Sequence, residues 1–133
     1  MSAVNAAYLF AQTLNGNICY TCTGICSWSS MTSTGIAGAF WLESTGNVCF
    51  YINDGFTKTI RNISAVSMGG FIHAEGTDDM TVLMKAADID NIKTTGSFGG
   101  LVSSYLEGDL TFSLVNSDVD NVSAKTHAGF FYA

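Results

Sequence analysis

Proline is missing from all 133 residues, and lysine and arginine together number only five. The first absence removes polyproline linkers from consideration. The second leaves a net charge of −6, which argues against nucleic acid and anionic membrane as partners, since both call for basic patches. No window approaches the roughly 18 uncharged apolar residues of a membrane span, so no membrane insertion is expected. Residues 1–20 lack the basic start and cleavage site of a secretory signal, so an extracellular chain of this sequence is expected to be a mature form or a fragment. Charged residues make up 12% and apolar ones 47%. That balance is neither a disordered tail nor a linker, and the length suits one domain with a real core.

What is present is repetition. Gly69-Gly70-Phe71-Ile72 has counterparts in Ala6-Ala7-Tyr8-Leu9, Gly38-Ala39-Phe40-Trp41, Gly99-Gly100-Leu101-Val102 and Ala128-Gly129-Phe130-Phe131, spaced 29 to 32 residues apart. Two tiny residues followed by two bulky apolar ones, at a nearly fixed period, mark a solenoid whose repeats bury their faces against one another. A second shared segment follows about ten residues later, and it alternates with the period of a strand. Its inward columns are Ile18/Val48/Met80/Leu110, Tyr20/Phe50/Val82/Phe112 and Cys22/Ile52/Met84/Leu114. The third segment is Ile60-Arg61-Asn62-Ile63, Ile89-Asp90-Asn91-Ile92 and Val119-Asp120-Asn121-Val122, with a loose match at Ile25 to Trp28. Apolar residues three apart do not fit one face of a straight strand, so a bend is expected at the Asn, which tolerates the left-handed conformation.

Three short strands in each repeat of roughly 30 residues predict an all-β fold, a right-handed parallel β-helix of about four coils. The coils fall at 6–37, 38–68, 69–98 and 99–127, with a partial fifth at 128–133, in one domain that stands alone or is a piece of a longer solenoid. In the first strand, the core can receive Leu9/Trp41/Ile72/Val102/Phe131 or Tyr8/Phe40/Phe71/Leu101/Phe130. The other set then points outward, covered by another segment or forming a lateral assembly face. Tyr8, Phe40, Phe71, Leu101 and Phe130 are the candidates for that face.

The small-small-bulky starts, with the later Ile89-Asp90-Asn91 and Val119-Asp120-Asn121, resemble the repeats of chlamydial polymorphic membrane proteins. They look equally like those of the very large β-helical surface proteins of ciliates and other protists. The family pattern pairs Gly-Gly-Ala and an aliphatic residue with Phe-x-x-Asn; here bulky residues replace Ala and the second motif is contracted. The resemblance spans residues 35–131. It implies an extracellular surface, adhesive or fibrous protein, with no catalytic residues to carry over.

Among residues that carry chemistry, Cys19 and Cys49 share an outward column in adjacent coils, within reach of a disulfide, and Cys22 and Cys26 can form a local one. Free or buried thiols are the alternative. Cys19-x-x-Cys22-x-x-x-Cys26 lacks a second knuckle, so no metal is expected. Asn62-Ile63-Ser64 and Asn121-Val122-Ser123 are acceptor sequences for N-linked glycan, and the competing role for Asn62 and Asn121 is a hydrogen-bonded ladder along the stack. Acidic residues stack as Asp88 on Asp118 and Asp90 on Asp120, as does the column Asn17/Asn47/Asp79/Asp109. His73 and His127 have no obvious partner. Neither a nucleophile motif nor a phosphate-cradling loop is present, so no enzyme and no cofactor are expected. The sequence predicts self-association, head-to-tail and laterally, in an extracellular or cell-surface fibre, with glycans as further partners. The alternative is a monomeric β-helical module that binds carbohydrate or a surface, with Tyr51 and Tyr105 as its platform.

Overall fold

A computed structural model of the chain describes all residues except 1, 4–7, 14, 53, 55, 77, 97–98, 126–130 and 133. After β1 (Ser2–Ala3), the first coil holds β2 (Leu9–Thr13), β3 (Ile18–Thr21) and β4 (Cys26–Ser33). The second holds β5 (Phe40–Ser44), β6 (Val48–Ile52) and β7 (Lys58–Ala65), and the third β8 (Ile72–Gly76), β9 (Met80–Lys85) and β10 (Ala87–Thr94). The fourth holds β11 (Val102–Leu106), β12 (Leu110–Val115) and β13 (Asp118–Ala124), followed by β14 (Phe131–Tyr132). Like strands stack into three sheets, β2-β5-β8-β11-β14, β3-β6-β9-β12 and β1-β4-β7-β10-β13, and the strand pairs are parallel. This is a parallel β-solenoid with three strands in each coil.

The sheet of β3, β6, β9 and β12 shows most simply why these residues form these strands. In β9, Met80, Val82 and Met84 are buried while Thr81, Leu83 and Lys85 are half-buried, which is the alternation a pleated strand imposes. Ile18, Val48, Met80 and Leu110 stand in one register column, and Tyr20, Phe50, Val82 and Phe112 in the next. In β12 the same columns are only half-buried, because β12 is the last described rung of its sheet.

The third sheet carries the bend. Asn62, Asn91 and Asn121 have φ of 54°, 55° and 51°, and Ser30 has 56° at the same place in the first coil. Each turns the chain so that the apolar residues on both sides, such as Ile60 and Ile63, reach the interior. The first-coil counterpart is therefore Trp28 to Met31, paired with Ile60 and Ile63, rather than Ile25 to Trp28. Ile25 lies outside the core, 84% exposed.

The first strand corrects the expected assembly face. Phe40, Phe71 and Leu101 are fully buried, and so are Ile72 and Val102. The choice between two columns does not arise, for two reasons. Phe71 and Leu101 sit at the corner before β8 and β11, following Gly69 and Gly99 with φ of 52° and 59°, so the corner residue and the first strand residue both point into the core. The second coil is also offset by one residue: Phe40 pairs with Ile72, and Trp41 pairs with His73. Tyr8 is half exposed and packs on Phe40 at 5.1 Å between ring centroids. Phe130 lies outside the described residues.

Close packing at this corner explains the tiny residues. A Cβ on Gly38 would stand 1.8 Å from the Gly70 carbonyl oxygen, and one on Gly70 would stand 1.9 Å from that of Gly100. The backbones of successive coils touch there. The space inside is filled by rings from the first three coils, with Phe40 at 4.9 Å from Phe50 and 5.3 Å from Phe71.

Candidate functional site

Outward side chains of the sheet β2-β5-β8-β11 form the most organised polar cluster. By register one column runs Trp41, His73, Ser103, and the next runs Gln12, Glu43, Glu75, Tyr105. His73 and Ser103 are almost wholly buried. His73 Nδ1 lies 2.6 Å from Ser103 Oγ and Nε2 lies 2.9 Å from Glu75 Oε1. A carboxylate only accepts, so Nε2 carries the proton and donates to Glu75, while the Ser103 hydroxyl donates to Nδ1. Burial pushes the His73 pKa below its ordinary value, and the Glu75 carboxylate opposes that shift without cancelling it. The imidazole is thus neutral, fixed in one tautomer by the hydroxyl behind it.

Beside this relay lies a groove of ≈ 270 Å³, lined by Thr13, Glu43, Thr45, Glu75, Gly76 and Tyr105 among others. Two carboxylates occupy directly paired positions in it, and Tyr105 follows as the next residue of the column, 77% exposed. Ser103 and His73 with Glu75 have the order of a nucleophile, base and orienting acid. The burial is inverted, however: Ser103 is sealed and Glu75 is open, so the relay holds a carboxylate instead of activating a hydroxyl for attack.

A second groove of ≈ 370 Å³ lies over the paired Cys19 and Cys49, with Asn17, Asn47, Tyr51 and Asp79 on its wall. Its polar groups already have structural work. Asn47 N donates to Asn17 Oδ1 at 2.9 Å, Asp79 N to Asn47 Oδ1 at 3.1 Å, and Asp109 N to Asp79 Oδ1 at 2.9 Å. The acidic column is thus a side-chain ladder in which each oxygen caps an amide of the following coil.

The remaining sequence-derived candidates fall as follows. Cys19 and Cys49 are joined across paired strands with Cα atoms 4.5 Å apart, and Cys22 and Cys26 are joined at 6.7 Å. Asn62 and Asn121 are exposed. Asn91 Nδ2 donates to Asn62 Oδ1 at 2.8 Å, and Asn121 Nδ2 donates to Asp90 Oδ1 at 2.8 Å. Of the stacked acidic residues, Asp88 is reached by Arg61. His73 has the partners its sequence context does not suggest, while His127 lies outside the described residues. Among the described residues no group of three or more His, Cys, Asp or Glu is placed to hold a metal ion.

Sequence reasoning named Tyr105 but missed the paired Glu43 and Glu75 beside it, and the fully buried Lys58. Glu75 follows Glu43 by 32 residues, and that spacing is visible only once the second coil is aligned one residue later. Lys58 is buried because Asp54 closes over it and the Phe56 carbonyl accepts from Nζ at 2.6 Å. Asp54 Oδ2 also accepts from the Gly24 amide, tying the second coil to the first.

Comparison with protein-family models, curated proteins and solved structures gave no match to this chain.

Proposed function

We propose that the chain is a structural segment of an extracellular or cell-surface fibre, built by stacking β-solenoid coils end to end, with an adhesive or protective role and no catalysis. The observation that carries this reading is the polarity of the stack. The amides of Ile18, Val48 and Met80 donate to the carbonyls of Asn47, Asp79 and Asp109 in the next coil, at 3.0, 2.9 and 2.9 Å. Leu110 holds the same place in β12, the last described rung of its sheet. Its amide, the Asp109 carboxylate and the half-buried edges of Leu110, Phe112 and Leu114 match what a further coil requires. That coil is supplied by more of the same chain or by a second copy, and a head-to-tail contact that does not close makes a filament.

Charge supports parallel stacking over the mirrored arrangement. Like ends would bring Asp109, Asp118 and Asp120 onto themselves, whereas unlike ends set them over Asn17, Ser27 and Ser29 in the same register columns. Two disulfides fit an oxidising compartment. Glycan on Asn62 or Asn121 is compatible with the ladder, since Asn62 uses its oxygen there and Asn121 uses one of two N–H groups. The resemblance to repeats of large surface proteins points the same way. A monomeric binding module is the second reading, favoured by the exposed Tyr105 beside its groove.

Negative-stain electron microscopy of the purified protein, with intact mass, tests both. Uniform filaments are expected, lost in Leu110→Pro, which removes the amide from the first position of an edge strand where proline is tolerated. Mass above 14.1 kDa in hexose-sized steps would place glycan. Discrete monomers at high concentration would end the fibre reading in favour of the binding module.

A further inference from the structure

We propose that Asn15 and Gly16 form a self-modifying site, at which the protein converts its own asparagine to aspartate and isoaspartate and thereby loosens its first coil from its second. The site lies within one molecule, so it stands apart from the fibre reading.

The pair occupies the corner between β2 and β3, outside both strands, and both residues are exposed. Counting back from the paired strands β3, β6, β9 and β12, the place of Asn15 is taken by Thr45 in the second coil and Glu107 in the fourth. The corner therefore does not require an asparagine. Thr13 Oγ1 donates to the Asn15 carbonyl at 3.2 Å and accepts from the Asn15 amide at 3.4 Å, which holds the main chain and leaves the carboxamide alone. Among the described residues neither that carboxamide nor the Gly16 N–H has a hydrogen-bond partner. Gly16 has φ of 109°, and no atom lies within 4 Å of where its Cβ would stand. Its nitrogen is thus unshielded, on the residue type with the widest backbone freedom.

The contrast with the other asparagines is the second observation. Asn17, Asn47, Asn62, Asn91 and Asn121 each precede Ile or Val, and each has its side chain engaged along the stack. A β-branched neighbour crowds the peptide nitrogen that would have to attack. No other asparagine of the chain precedes a glycine.

The reaction needs only water. Hydroxide takes the Gly16 amide proton, and the nitrogen attacks the Asn15 side-chain carbonyl carbon to close a succinimide ring. The bond from that carbon to the carboxamide nitrogen breaks, and the nitrogen leaves as ammonia with a proton from water. Water then opens the ring. Attack at the side-chain carbonyl restores the main chain and gives aspartate; attack at the main-chain carbonyl routes the chain through the side chain and gives isoaspartate.

Isoaspartate lengthens the main chain by one methylene at a corner with no slack. Ser44 Oγ donates to the Gly16 carbonyl at 2.5 Å, and Asn17 Oδ1 accepts from the Asn47 amide at 2.9 Å. A Cβ on Gly46 would stand 2.3 Å from Asn17 Oδ1 and 2.7 Å from the Gly16 carbonyl oxygen, so the two coils touch there. The longer chain displaces these contacts, which tie the first coil to the second.

Ageing the folded protein in mildly alkaline buffer, with peptide mapping over weeks, tests this. A gain of about one dalton is expected at Asn15, at least about tenfold faster than at Asn62, Asn91 or Asn121 with their β-branched neighbours. An isoaspartyl methyltransferase with S-adenosylmethionine, used as a probe, should label the aged protein at this site and leave fresh protein unlabelled. The urea midpoint should fall with age, whereas Asn15→Thr, which adopts the second coil's residue, should show neither label nor fall. If Asn15→Thr does not fold, the mapped gain, the label and the midpoint of the unaltered protein decide. The proposal is overturned by three results: conversion at Asn15 no faster than at those three asparagines, no label on the aged protein, or an aged midpoint equal to the fresh one.

Discussion

His73 is where a single residue has most to say about conditions. Around it stand Glu75 on its own strand, Trp41 and Glu43 on β5, and Ser103 and Tyr105 on β11. Burial holds its pKa below the ordinary 6.5, so the unfolded chain takes up a proton at higher pH than the folded one. Its contribution to stability is therefore complete above pH 6.5 and is lost as pH falls from there toward the folded value. Urea midpoints should drop between about pH 7 and about pH 5, and His73→Phe should flatten that slope. Asp54 has the same sign lower down: the Lys58 ammonium holds its carboxyl below 3.8, so its contribution fades only as pH falls below that value. The Asn bends make a second prediction at this scale. Asn91 has φ of 55° and no glycan acceptor sequence; Asn91→Ala and Asn91→Gly both lose the bond to Asn62, so the difference between them isolates the backbone cost, expected at about 1–2 kcal/mol in chemical denaturation. Asn91→Gly should recover most of it. These bends were legible because apolar residues three apart around an Asn have few other solutions. The His73 relay was not legible, since Ser103 sits 30 residues away in the next coil and a single His over a single Ser repeats nowhere else in the column.

Among elements, the middle sheet and the first sheet differ in how much their sequences disclose. In β3, β6, β9 and β12 alternation is strict and the register columns follow from it. The segments leading into β5, β8 and β11 break alternation at a corner, where two consecutive residues enter the core, so a rule of one face in and one face out assigns Phe71 and Leu101 to the wrong side. The clue was in the tiny residues: Gly38 and Gly70 leave no room for a Cβ because the next coil's backbone lies against them. Disulfide energetics also belong to elements. The Cys19–Cys49 bond joins β3 to β6 with a sequence separation of 30, and that between Cys22 and Cys26 has a separation of 4. Loop-closure entropy gives about 3–4 kcal/mol for the first and about 2 kcal/mol for the second. Replacing Cys19 and Cys49 together by Ser should lower the denaturant midpoint more than replacing Cys22 and Cys26 does, and measuring both pairs side by side checks the order.

For the whole molecule, stability is the sum of coils and the contacts between neighbouring coils, as in any solenoid. The two covalent links both fall before residue 50, and the third and fourth coils have none. Under tension that asymmetry becomes a mechanical program. A molecule pulled at both ends should first surrender its later coils one at a time, each adding about 100 Å of contour length for roughly 30 residues. The segment from Cys19 to Cys49 stays hidden from the force until a reductant opens it. A force-extension trace that lengthens by about one further coil on adding reductant would show a strand of the material with an extensible end and a fixed one, able to yield stepwise without parting.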